Sequence, residues 1–157
     1  MEDLAERLGA LTFRDLTQEQ VTALIIDTVT AWGAGQGWRV YRRAPSVMRL
    51  PPPMDRQHSV LDVALARPGA PPIVVEVDHT DRRRTVEKLL AEAEEGRIPL
   101  WVRWGPGRIA EAPPPIHVVA LRVDRHQGRY SRSDLRAPEH SARPPMTGEA
   151  AELPLIE

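Results

Sequence analysis

Residues 71–90, PPIVVEVDHTDRRRTVEKLL, constrain this chain more than any other stretch. Residues 73–77 are dominated by β-branched apolar side chains, the composition of a strand buried on both faces. A segment with apolar residues at helical spacing (Val86, Leu89, Leu90 and Ala93) follows at once, and a second apolar run, IPLWVRWG, comes after it. Strand, helix and strand over so short a span demand a parallel crossover. Yet Glu76 and Asp78 interrupt the first strand. Side chains alternate faces, so both carboxylates project to one side while Val75 and Val77 face the other. Their Cα atoms stand about 7 Å apart along the strand.

The rest of the chain builds around this unit. TQEQVTALIIDTVTAWGAGQG reads as a first long helix. Thr17 and Gln20 stand at capping-box spacing, and Val21, Leu24, Ile25, Val29 and Trp32 form its apolar stripe. MEDLAERLG before it reads as a short extra helix. WRVYRRAPSVMRL is a first strand interrupted near Pro45, PPPMDRQ a loop, and HSVLDVALARPG a second strand. The short RPGAPP connector then predicts a hairpin into the third strand. Thr80 or Asp81 is placed to cap the second helix and Gly96 to end it. IPLWVRWG is the fourth strand and IHVVALRVD a fifth. From about His126 the sequence turns polar and proline-rich, so residues 126–157 are expected to be a tail with little structure of its own and residues 1–125 the folded domain. The order is α-β-β-β-α-β with one more strand: an α/β protein with a mixed central β-sheet flanked by helices.

Composition removes several alternatives. At 157 residues the chain is one domain in length. It has no cysteine, hence no disulfide framework, thiolate metal site or cysteine nucleophile. The N-terminus lacks the basic region of a signal peptide, and no apolar run approaches the ~20 residues of a membrane span. The expectation is a cytoplasmic protein without membrane contact. Net charge is −1, so any nucleic-acid signal is local. The five histidines show no zinc spacing. GAGQG follows a helix and not a strand, which makes it a poor phosphate loop. No Ser-His-Asp arrangement emerges.

Asp62 lies in VLDVAL, another apolar run. If the hairpin pairs as its short connector predicts, Asp62 lies beside Glu76. Three carboxylates then converge on one small area. Packed like charges repel, and burial adds to the cost. The cost is met by protonation or by a divalent cation. Hard oxygen ligands favour Mg2+ or Mn2+, which can activate water and polarise a phosphodiester. A single acid in a strand is more often a surface residue than a ligand; the adjacency of the three gives the pattern its weight.

The pattern resembles the PD-(D/E)XK nuclease superfamily, the restriction-endonuclease-like fold, over roughly residues 17–122. SVLDVA supplies the family's aspartate as Asp62, and VVEVDH its acid as Glu76. The resemblance implies an αβββαβ core and metal-dependent hydrolysis of DNA phosphodiesters, with Asp62 and Glu76 as metal ligands. The motif lysine is replaced by Asp78, which the resemblance casts as a third ligand or a base for the water. Some members carry the lysine on the following helix instead. Lys88, the only lysine of the chain, sits there, either as the relocated catalytic residue or as a helix-flank charge. A first-helix acid joins the metal site in some members; Glu19 has that position, though favourable placement at a helix N-terminus explains it as well.

Arg82, Arg83 and Arg84 oppose the dipole at the start of the second helix, so helix stability does not account for them. Phosphate contact does, as do salt bridges to Glu87, Glu92 or the acids. Arg42 and Arg43 extend a basic face. Arg103, in a strand, needs a buried partner, for which Glu76 is a candidate. Trp101 and Trp104 read as packing residues. With few elements besides the core, specificity would come from DNA structure, a homodimer or a larger complex. The rival expectation is that the lost motif lysine marks an inactive domain that binds nucleic acid or protein.

Overall fold

A computed structural model describes residues 1–133 of the protein. It is a mixed α/β structure with three helices and two sheets. The larger sheet has five strands in the order β2 (Arg39–Arg49), β3 (His58–Ala66), β4 (Ile73–Asp78), β5 (Ile98–Gly105) and β6 (His117–Arg122). The first three pair antiparallel through hairpins. The last three pair parallel, with α3 (Arg83–Glu94) crossing between β4 and β5. Central β4 is buried along its whole length, which is why its sequence lacks the alternation of a half-exposed strand.

α2 (Gln18–Gly35) covers one face. Its capping box is formed as the sequence predicts: Gln20 N–H donates to Thr17 Oγ1, and Thr17 N–H donates to Gln20 Oε1. Val21, Ile25, Val29 and Trp32 pack onto Val63, Leu65, Val75, Val77, Val102 and Trp104. α3 covers the other face, where Leu89 packs with Leu61, Val74, Trp101 and Ile116. The tryptophans at 101 and 104 are therefore core residues on opposite faces, as strand alternation predicts.

α1 (Glu2–Gly9) adds Leu4 and Leu8 to the α2-side core. A smaller sheet, missed in the sequence, joins β1 (Phe13–Leu16) to β8 (Arg129–Arg132), which pairs with β7 (Asp124–His126). Tyr130 brings its ring edge-on to Trp104, with centroids 4.9 Å apart. The folded part thus runs past residue 125, because polar residues around a tight turn hide a strand whose one apolar side chain is an anchor. The remainder of the expected tail lies outside the described residues.

Two further expectations need correction. β2 is not broken at Pro45; its register against β3 shifts between Pro45 and Arg49, an irregularity that bends an edge strand without ending it. The N-cap of α3 is Arg82, without a side-chain cap, and neither Thr80 nor Asp81 serves. Among the described residues no helix is long and apolar enough to cross a membrane.

Candidate active site

The β3–β4 ladder contains the pairs Leu65↔Ile73, Ala64↔Val74 and Val63↔Val75, and there it stops. The next residues in that register are Asp62 and Glu76, the neighbours expected from the hairpin. Their side chains take over from the ladder. Asp62 N–H donates to Glu76 Oε2 at 2.8 Å, and Val77 N–H donates to Asp62 Oδ2 at 2.8 Å. Two carboxylates are thereby held between strands that no longer bond to each other through their backbones. Arg43, between the pairs Arg42↔Val63 and Ala44↔Leu61 on β2, has φ +54°, an unusual backbone for a non-glycine residue. Leu61 packs under α3 while Val63 packs under α2, so the alternation of β3 slips at Asp62. Three adjacent strands depart from regularity at one level.

α3 closes this opening with a polar stripe. Its buried residues are Thr85, Lys88, Leu89 and Glu92, at the i, i+3, i+4, i+7 spacing of one helix face. The stripe expected from apolar residues alone (Val86, Leu89, Leu90, Ala93) lies about one residue around, and only Leu89 belongs to both. Polar partners on the sheet turn the helix. Lys88 Nζ donates to Glu76 Oε1 at 2.9 Å and to the Val60 carbonyl at 2.8 Å. Lys88 is thus directed at the acid and is not a solvated flank charge; it is 7 % exposed. A cavity of about 160 Å³ lined by Ser59, Glu76, Arg82, Arg84, Thr85 and Lys88 opens beside the pair.

Burial, and the Asp62 charge beside it, push Glu76 up to about 7 against the pull of Lys88. Asp62 is raised as well, chiefly by burial, with Asp78 adding to the effect and Val77 N–H, Lys88 and Arg43 opposing it. An acid raised in the folded state binds its proton more tightly there than in the unfolded chain. The associated stability is fully present below the unfolded value near 4.5 and is lost as pH rises toward 7. The loss is on the order of 3 kcal/mol. Urea midpoints measured between pH 4.5 and 8 should therefore show this decline, and Glu76→Gln should remove most of it. An equal pH slope in both proteins would contradict the assignment.

Asp78 shares the face of Glu76 and is equally buried, but it has another employment. Its Oδ2 accepts from Thr85 Oγ1 and from Trp101 Nε1, both at 2.8 Å, and its Oδ1 lies 3.6 Å from Arg82. The expected convergence of three carboxylates is accordingly not formed: among the described residues no three His, Cys, Asp or Glu side chains are grouped to share a metal ion. The reason is that α3 supplies Thr85 where the third carboxylate would otherwise face the first two.

The three arginines at the start of α3 have separate placements. Arg82 is exposed near Asp78, Arg83 lies 3.6 Å from Glu87 in solvent, and Arg84 donates to the Arg49 carbonyl at 2.7 Å while lining the cavity. Arg103 finds Asp81 instead of Glu76. Its Nε and Nη2 reach Asp81 Oδ1 at 2.9 and 2.8 Å, and Nη1 donates to the carbonyls of Asp78 and Trp104. Arg42 is paired with Asp27. Glu19 is exposed on the helix over the opposite face, and the His79 ring lies 5.6 Å from that of Trp104 on that same side.

No family model, curated protein or solved structure matches this chain. The geometry carries the functional argument by itself. Sequence reasoning had missed Ser59, Thr85 and Glu92. The available signal was the Thr85, Lys88, Glu92 spacing, which puts three polar residues on one face of a helix that has to pack against a sheet.

Proposed function

We propose that the protein is a divalent-metal-dependent nuclease acting on DNA phosphodiesters, with a restriction-endonuclease-like αβββαβ core of the PD-(D/E)XK type. The observation that carries this reading is the ladder opening at Asp62 and Glu76 with Lys88 Nζ 2.9 Å from Glu76 Oε1. An acid from each of two adjacent strands and a lysine are the three chemical elements of the proposed motif, the lysine coming from α3 and not from β4. The succession α2, β2, β3, β4, α3, β5 agrees with the proposed core.

The donor set fits a hard divalent cation. Asp62 and Glu76 offer oxygen ligands, and both are held short of their ordinary acidity by burial and neighbouring charge. A cation would relieve that repulsion. Mg2+ typically takes one or two carboxylates and keeps water and substrate phosphate in its remaining positions. When bound, it supplies Lewis acidity to a phosphoryl oxygen and to the attacking water. The chain's own groups then have distinct tasks. Asp62 and Glu76 hold the cation. Lys88 neutralises Glu76 in the resting site and, released from it, donates to the non-bridging phosphate oxygen as charge develops there. Arg82 and Arg84 bind the phosphate on either side. Asp78 positions α3 through Thr85 and β5 through Trp101.

A second reading, a non-hydrolytic nucleic-acid- or protein-binding domain, draws on the same ion pair, because Lys88 already compensates Glu76 without a metal. One assay separates the two. Duplex, single-stranded and branched DNA are incubated with the protein and Mg2+ or Mn2+, with and without EDTA, while thermal melting is followed in parallel. The nuclease reading expects cutting that EDTA abolishes and a melting temperature that rises with Mn2+. Absence of both would leave the binding domain as the answer.

A further inference from the structure

Beyond Asp62 the hairpin of β2 and β3 leaves the sheet. Residues 58–62 of β3 have no ladder to β4, so this part of the hairpin is a two-stranded ribbon closed by residues 51–57. It continues for roughly 15 Å beyond Asp62. Its surface is unusual for a free ribbon. Val47, Met54 and Val60 are exposed, Met54 at 50 %. Residues 39–60 hold five arginines (Arg39, Arg42, Arg43, Arg49 and Arg56) against one carboxylate, Asp55, in a chain whose net charge is −1. Arg42 is consumed by Asp27, and Arg49 folds over the turn, 3.4 Å from the carbonyls of Asp55 and Arg56. Arg43 and Arg56 stay exposed.

The ribbon is also fastened to the helix that serves the site. Arg84 donates to the Arg49 carbonyl, Lys88 to the Val60 carbonyl, and the buried Glu92 accepts from Ser46 Oγ at 2.6 Å and Val47 N–H at 2.7 Å. Ser59, on the ribbon, lines the cavity beside Glu76. The direction of the ribbon relative to the two carboxylates is therefore fixed.

We propose that residues 46–60 are a duplex-binding arm that enters the major groove of double-stranded DNA and thereby brings the flanking phosphate to Asp62 and Glu76. The inference rests on the nuclease reading of that site. The B-form major groove, about 12 Å wide, admits a two-stranded ribbon. An arm of this length, inserted by its tip, leaves its root at the phosphate rim, where the carboxylates are. Arg56 at the tip and Arg43 at the root meet phosphates, while Met54 and Val47 supply apolar contact to groove edges. A single strand is the poorer occupant. Such strands are held by aromatic platforms on which bases stack, and residues 46–60 contain no Phe, Tyr or Trp.

The test compares three full-length proteins: wild type, the tip variant Met54→Ala/Arg56→Ala, and Glu76→Gln. Affinity for fluorescent duplex and single-stranded DNA is measured by anisotropy across a salt series, with cutting of the same duplex and sedimentation of the free proteins. Both tip residues are exposed, so the variant should melt with wild type. The arm expects wild type to prefer duplex, the tip variant to bind duplex at least about tenfold more weakly, and its log K against log salt slope to fall by about one. Glu76→Gln should bind duplex as wild type does without cutting it. Tip and wild-type proteins that bind and cut alike, while Glu76→Gln does not cut, would keep the nuclease and overturn the arm. Loss of duplex binding in the tip variant when no protein cuts would keep the arm and overturn the nuclease. A tip variant that changes only a dimer into a monomer would assign the ribbon to self-association and overturn the proposal.

Discussion

Glu76→Gln and Asp62→Asn are each expected to slow DNA cleavage by at least about a thousandfold, equivalent to ~4 kcal/mol of transition-state stabilisation. Each substitution removes a negative charge from the cation's ligand set and preserves the shape of the side chain. The amide oxygen still accepts the backbone N–H that the carboxylate accepted, from Asp62 in one case and from Val77 in the other. The opening between β3 and β4 is therefore kept, and circular dichroism should report a folded protein. Single-turnover cutting at saturating Mn2+ is the measurement to make. Cation affinity should fall in parallel, visible as a smaller Mn2+-dependent rise in melting temperature. Cutting within tenfold of wild type in both variants would remove these two residues from the chemistry, and the nuclease assignment with them.

The second large effect is on stability. Asp78→Ala should lower it by roughly 3 kcal/mol, because it leaves Thr85 Oγ1 and Trp101 Nε1 facing a buried space without their acceptor. For a protein of this size that is about 6–12 °C in melting temperature. Asp78→Asn keeps an oxygen for both donors and should recover most of the loss. The pair of variants separates an anchor from a ligand. As an anchor, Asp78→Asn retains most of the cutting at a temperature where it is folded. Were Asp78→Asn to fold normally and lose cutting as completely as Glu76→Gln, Asp78 would be a metal ligand, the role its spacing in the sequence first suggested.

That contrast shows what the sequence could and could not disclose. The strand, helix and strand around Glu76 were legible because β-branched runs, an amphipathic segment and a short hairpin connector each allow few alternatives, and together they put Asp62 beside Glu76. Alternation also placed Trp101 and Trp104 on opposite faces. Side-chain employment was not legible. Asp78 and Glu76 look equivalent on a strand, yet Thr85 and Trp101 take one and Lys88 the other. The rotation of α3 was misread for the same reason: an apolar stripe is a good guide to burial only where the facing sheet is apolar, and here it carries acids. β1 and β8 escaped notice because a four-residue strand among polar neighbours has too few side chains to establish a period, and its partner lies more than a hundred residues away.

That distant pairing has a consequence for how the chain is made. Asp15 N–H bonds to Ser131 Oγ, 116 positions later, and β1 has no other strand beside it. Chains emerge from the ribosome N-terminus first. The five-stranded sheet has all its strands by residue 122, whereas β1 stays without its partner until residue 132 has been added. Leu4, Leu8 and Phe13 reach their full surroundings only when Tyr130 arrives against Trp104. The first segment synthesised is thus among the last to be sealed. Until then it presents an unpaired strand edge and an apolar helix face, the features by which nascent chains are held by chaperones or stick to one another.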